Sequence, residues 1–63
     1  MPIIQITLIA GRSDEQKQAM YAAVTEAVHT TLGAPKEAVR IMVNEIPPQH
    51  FAVAGVAKKG PSS

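Results

Sequence analysis

The chain has 63 residues, carries a net charge of +1 from six basic and five acidic side chains, and contains no cysteine. These totals allow a single domain, exclude disulfides and thiolate metal sites, and lack the basic excess that marks a nucleic-acid partner. The hydrophobic content of 46% is more than one helix and two strands can hide, so a scaffold this small is expected to complete its core by self-association.

No apolar run approaches the ~20 residues of a membrane span. The first residues have neither a basic n-region nor a small-residue cleavage site, so no signal peptide is expected, and a cytoplasmic location is. Two histidines, His29 and His50, are too few for a structural zinc site.

Residues Ile3 to Ile9 read as a strand. Ile4, Ile6 and Leu8 make one wholly apolar face at period two, whereas Ile3, Gln5, Thr7 and Ile9 make a mixed one. The mixed face is expected to meet another subunit. Ala10, Gly11 and Arg12 form the turn that follows. In "SDEQ", Ser13 and Gln16 have the spacing of a reciprocal capping box, and Asp14 and Glu15 suit the positive end of a helix. The spacing predicts a helix from Asp14 to about Leu32. Its packed stripe is expected at Met20, Val24, Ala27, Val28, Thr31 and Leu32, with Lys17, Gln18, Thr25 and Glu26 mostly turned away. Gly33 is the expected left-handed stop, and Pro35 blocks extension.

"PKEA" reads as a short turn or single helical turn. Val39 to Ile46 reads as a second strand, with Val39, Ile41 and Val43 on one face and Arg40, Met42 and Asn44 on the other. Strand, helix, strand implies parallel pairing with a right-handed crossover. "PPQHF" ends that strand, "AVAGV" is expected to form a small hairpin arm, and residues 58–63 a frayed tail. The fold class is thus α+β: one βαβ unit and a C-terminal hairpin in a single domain over residues 1–63. Two strands and one helix are marginal alone, so pairing of two copies is expected.

Four residues stand out once packing and solubility are subtracted. Pro2 follows the initiator methionine, and methionine removal is favoured before a small residue. The product would carry a free secondary amine, the only one a ribosomal chain offers. Burial and neighbouring cations would lower its pKa towards that of a useful general base. Its plain structural alternative is an edge-strand proline. Arg12 is either a solvated turn residue or an anion ligand. Arg40 interrupts an apolar strand and so needs a partner, solvent or a ligand, and guanidinium matches a carboxylate with two parallel hydrogen bonds. Phe51, the one phenylalanine, is either core or pocket wall.

Together these features resemble the 4-oxalocrotonate tautomerase family. The resemblance rests on Pro2 behind Met1, "GRSDEQK" at residues 11–17, "VR" at 39–40 and "HFAVAG" at 50–55, and extends to about Gly55. It implies that Pro2 is the base that moves a proton. It also implies that Arg12 holds a substrate carboxylate, that Arg40 reaches into a neighbouring subunit's site to bind the 2-oxo end, and that Phe51 keeps the site apolar. The family assembles as a homohexamer, a trimer of dimers, and uses no metal or organic cofactor. The implied activity is keto–enol tautomerisation of unsaturated 2-oxo dicarboxylic acids such as 2-hydroxymuconate, a step of aromatic degradation. The chain departs from the family at Ala52 and Ala54, where its best-known members have glycine, and in the "IPPQ" loop.

Two other functions are compatible with these residues. Hydration or dehalogenation of a haloacrylate would need a carboxylate to activate water, for which Glu45 and Asp14 are the nearest candidates. A non-catalytic oligomeric binder of small ligands would follow if Met1 stayed attached, because an acylated proline nitrogen has no useful basicity.

Overall fold

A computed structural model describes residues 1–58. Strand β1 (Ile3–Ile9) and strand β2 (Arg40–Ile46) pair in parallel, in a register that sets Ile3 opposite Arg40 and Ile9 opposite Ile46. Helix α1 (Asp14–Leu32) links them, and a short antiparallel hairpin of β3 (Ala52–Val53) and β4 (Val56–Ala57) follows β2. The βαβ unit with its C-terminal hairpin is therefore observed as expected. The tail expected at 58–63 lies, beyond Lys58, outside the described residues.

The ends of α1 follow from local chemistry. The Ser13 side chain accepts from the Gln16 amide at 3.1 Å, and the Ser13 amide donates back to the Gln16 side chain at 3.0 Å. Two of the four amides a helix start leaves unpaired are thereby satisfied. Gly33 ends the helix at φ 74°, its amide bonded to the His29 carbonyl. Single 3₁₀ turns at Lys36–Ala38 and Pro48–His50 stand where the sequence has "PKEA" and "PPQH". The hairpin turns through Ala54 (φ 53°) and Gly55 (φ 82°), both left-handed, as a two-residue type I′ turn requires. One expected glycine position of the family, Ala54, is thus a place where a side chain is tolerated only with backbone strain.

The faces of the sheet separate as the alternation predicts. Ile4, Ile6, Leu8, Ile41 and Val43 are half-buried under α1, while Gln5, Thr7, Met42 and Asn44 lie exposed on the open face. Ile3 is 60% and Met42 50% exposed there. The helix is rotated from its expected setting. Lys17, Met20, Tyr21, Val24, Thr25 and Val28 face the sheet, at the 3–4 spacing of one stripe, and Ala27, Thr31 and Leu32 do not. An alanine-rich helix offers more than one weakly apolar side, so hydrophobic spacing alone selects poorly among them. The Lys17–Glu45 ion pair, 3.0 Å long, marks the setting observed: Glu45 shares the helix-facing side of the sheet with its register partner Leu8.

Among the described residues none is fully withdrawn from solvent. A helix on one side of two strands leaves the other sheet face uncovered, and the hairpin presents Phe51, Val53 and Val56 outward as well. Large apolar side chains left in solvent, Ile3 and Met42 on the sheet and Phe51, Val53 and Val56 on the hairpin among them, are the kind of surface that marks an interaction face.

Candidate active site

Pro2 sits immediately before β1. Its carbonyl accepts from the Arg40 amide at 3.0 Å, which extends the parallel ladder by one bond beyond the Ile3–Arg40 pair. Pro2 and Arg40 therefore lie at the same end of the sheet. Residues paired across a parallel ladder leave it on one side, so Arg40 departs with Ile3 onto the open face. Pro2, one residue earlier, is half-buried like Ile4 and continues the alternation to the other side. The backbone thus joins the two residues while their side chains leave the sheet on opposite faces. The Arg40 guanidinium rests on the Glu37 carbonyl, to which Nη1 donates at 2.6 Å.

Arg12 lies at the opposite end. The seven residues of β1, at about 3.3 Å each, put roughly 20 Å between Pro2 and the turn that carries Arg12. There Arg12 lines an open hollow of about 250 Å³ with Leu8, Gln16, Lys17 and Met20. The charge of Lys17 is engaged, at 3.0 Å by Glu45 and at 3.5 Å by Asp14. The hydrogen bond to Glu45 raises the Lys17 pKa most, partial burial opposes it, and the charges of Glu45 and Asp14 reinforce it. The Arg12 guanidinium makes no hydrogen bond or ion pair with the described residues. It is a cation available to an anionic ligand, beside a helix start whose dipole favours the same charge.

Phe51 follows the second 3₁₀ turn, past the far end of β2, and opens the hairpin, where its carbonyl accepts from Lys58 at 2.8 Å. It lines a second hollow of about 330 Å³ with Val53, Val56, Ala57 and Lys58. Of the four sequence-derived site residues, Pro2 and Arg40 adjoin within one chain, while Arg12 and Phe51 follow the far ends of β1 and β2. Among the described residues no three histidine or acidic side chains converge as metal ligands.

Residues that hold this arrangement were not evident in the sequence. Lys17 and Glu45 pin α1 to β2, and Glu26, His29 and Lys36 pin the helix end to the connection before Arg40. Charge spacing gives no warning of a pair 28 residues apart. The alternation of β2 places Glu45 on the helix-facing side, which is the one signal of a buried-side charge in need of a partner.

A parallel βαβ unit with a proline at the lip of its first strand and, at the strand's exit, an arginine without a partner among the described residues defines a recognisable class. The Tautomerase enzyme family matches residues 2–60. A "Probable tautomerase" of Ralstonia nicotianae is 52% identical over 58 residues, covering 92% of this chain and 83% of its own. Among solved structures, the 4-oxalocrotonate tautomerase isozymes from Methylibium petroleiphilum are similar at 50% identity and a TM-score of 0.85, covering 89% of this chain and 88% of theirs. A heterohexameric 4-oxalocrotonate tautomerase from Chloroflexus aurantiacus aligns at 35% identity and a TM-score of 0.85, with 90% and 92% covered. The chain belongs to the tautomerase family, and its fold is that of the 4-oxalocrotonate tautomerase homologues.

Proposed function

We propose that the chain, once freed of Met1, is a keto–enol tautomerase of unsaturated 2-oxo dicarboxylic acids such as 2-hydroxymuconate, with the Pro2 amine as general base. The observation that carries this reading is the family match from residue 2, with proline standing there. The neutral Pro2 nitrogen accepts the proton of the dienol hydroxyl. The prolinium so formed returns a proton to a carbon further along the conjugated chain, and the ketone results. Charge moves but nothing is oxidised, so the residues suffice without a cofactor.

Arg12 and Arg40 each take a carboxylate end of the substrate and stabilise the dienolate as it develops. Phe51 and the aliphatic surroundings exclude water, which strengthens those ionic contacts. Because Arg12 and Pro2 of one chain stand at opposite ends of β1, a complete site draws on more than one chain. The uncovered sheet face and outward hairpin provide the contact surfaces, and a homohexamer built from dimers is the assembly we assign. We place the protein in the cytoplasm and the reaction in the breakdown of aromatic compounds.

Glu45 and Asp14, the carboxylates that a haloacrylate hydratase would need, are both engaged by Lys17, which favours proton transfer over activation of water. The test is to establish Met1 removal by intact mass, then follow loss of the dienol's ultraviolet absorbance in parent and Pro2→Ala proteins. A fall of 100-fold or more supports the reading. Retained Met1 with no turnover supports the small-ligand binder instead, and halide release without dienol turnover supports the hydratase.

A further inference from the structure

The connection from α1 to β2 is held on both sides. Towards the helix, His29 Nδ1–H donates to the Ala34 carbonyl at 2.7 Å, and Lys36 Nζ meets Glu26 Oε1 at 2.7 Å. The other Glu26 oxygen accepts from Thr30 Oγ1 at 3.4 Å, so the carboxylate is steadied from its own helix. Towards the sheet, the Glu37 carbonyl accepts from Arg40 Nη1. Between these ties lies one 3₁₀ turn, Lys36–Ala38, entered through Pro35 with its restricted φ of −62°. A short, proline-started turn transmits position well, because few of its dihedrals are free.

We infer that Glu26, His29 and Lys36 are positioning residues for Arg40. They fix the turn whose Glu37 carbonyl orients the Arg40 guanidinium, and so the direction in which it meets a substrate carboxylate. The inference rests on the reading of Arg40 as a substrate ligand. A guanidinium has five donors; with one N–H spent on Glu37, another edge remains for a two-pronged carboxylate contact. An arginine without that rest must be ordered by the substrate itself, and misplacement of a binding group weakens turnover even where the chemistry is untouched. The ties are solvent-facing, so each alone contributes little, and their joint removal is the informative change.

The experiment uses the Met1-processed protein and 2-hydroxymuconate. His29→Ala combined with Lys36→Met is expected to lower kcat/KM about 3- to 10-fold, with the rise in KM exceeding the fall in kcat. Lys36→Arg keeps the parent KM, and the charge swap Glu26→Lys with Lys36→Glu recovers most of it. In an Arg40→Ala background the double substitution has no further effect, as residues acting through Arg40 require. Where that background turns over too slowly, the Arg40 Nε–H resonance replaces it: dispersed in the parent, it collapses towards the unstructured shift in the double variant. Unchanged kcat/KM in the double variant, or an equal fall with and without Arg40, overturns the positioning role alone. An Arg40→Ala protein within twofold of the parent overturns the assignment of Arg40 itself, and the positioning role with it.

Discussion

The Arg40 amide donates to the Pro2 carbonyl at 3.0 Å, yet the Arg40 guanidinium and the Pro2 ring leave the sheet on opposite sides. Arg12, a strand's length away, is unable to serve its own Pro2.

Subunit mixing tests this division. Pro2→Ala and Arg12→Ala proteins, each with little activity, are expected to regain about a quarter of parent kcat when unfolded together and reassembled at random. Half of the chains supply a proline, half supply an arginine, and a quarter of sites receive both. Recovery below one-twentieth would mean that Pro2 and Arg12 act from one chain.

The open sheet face carries a second expectation. Met42 is half-exposed and pairs in register with Gln5 at the middle of that face. Met42→Glu places a charge where two sheets would pack, and such a charge needs a partner it does not have. Sedimentation is expected to show a smaller species than the parent, with lower activity. An unchanged species would place the contact surface elsewhere.

Backbone strain gives two stability changes of opposite sign. Gly33 has φ 74° with nothing within 4 Å of where a Cβ would stand. Gly33→Ala is therefore opposed by conformation alone, at about 1 kcal/mol. Ala54 already bears that strain at φ 53°, so Ala54→Gly is expected to stabilise by a few tenths of a kcal/mol, after glycine's greater chain entropy is set against the relief. Denaturant midpoints at fixed protein concentration check both signs.

The Glu26–Lys36 tie has a pH signature. The hydrogen bond from Lys36, and then its charge, hold the Glu26 carboxyl below its ordinary value, and His29 adds to this. A lowered folded pKa stabilises fully above the unfolded value, and the contribution is lost as pH falls through the folded one. The midpoint difference between parent and Glu26→Gln is therefore expected to shrink as acid protonates Glu26. Lys36 is raised by the same hydrogen bond, so its share persists at neutral pH and fades only in strong alkali. A carboxyl-carbon titration of Glu26 in parent and Lys36→Met proteins reads the shift directly.

Much of this fold is local in origin and could be read from the chain. Ser13 and Gln16 announce the helix start, Gly33 its end, and the alternation of Ile4, Ile6 and Leu8 the covered face. The setting of α1 was not legible in the same way. Several of its sides are alanine, and the choice among them is made by contacts with the sheet, including a lysine that hydrophobic spacing sends outward. The candidate site divides along the same line. Pro2, Arg12, Arg40 and Phe51 are conspicuous by residue type, but their placement depends on register and on strand length, both of which are tertiary. The ties at Glu26, His29 and Lys36 look in sequence like an ordinary solvated helix end.

The state of the Pro2 nitrogen is the centre of the account, and titration of that nitrogen by ¹⁵N resonance in the natively processed protein tests it most directly. A free secondary amine whose pKa lies below the ordinary range for such a group is predicted, because burial and facing guanidinium groups disfavour its charged form. A nitrogen still acylated by methionine, or one that stays protonated beyond pH 9 or so, contradicts it.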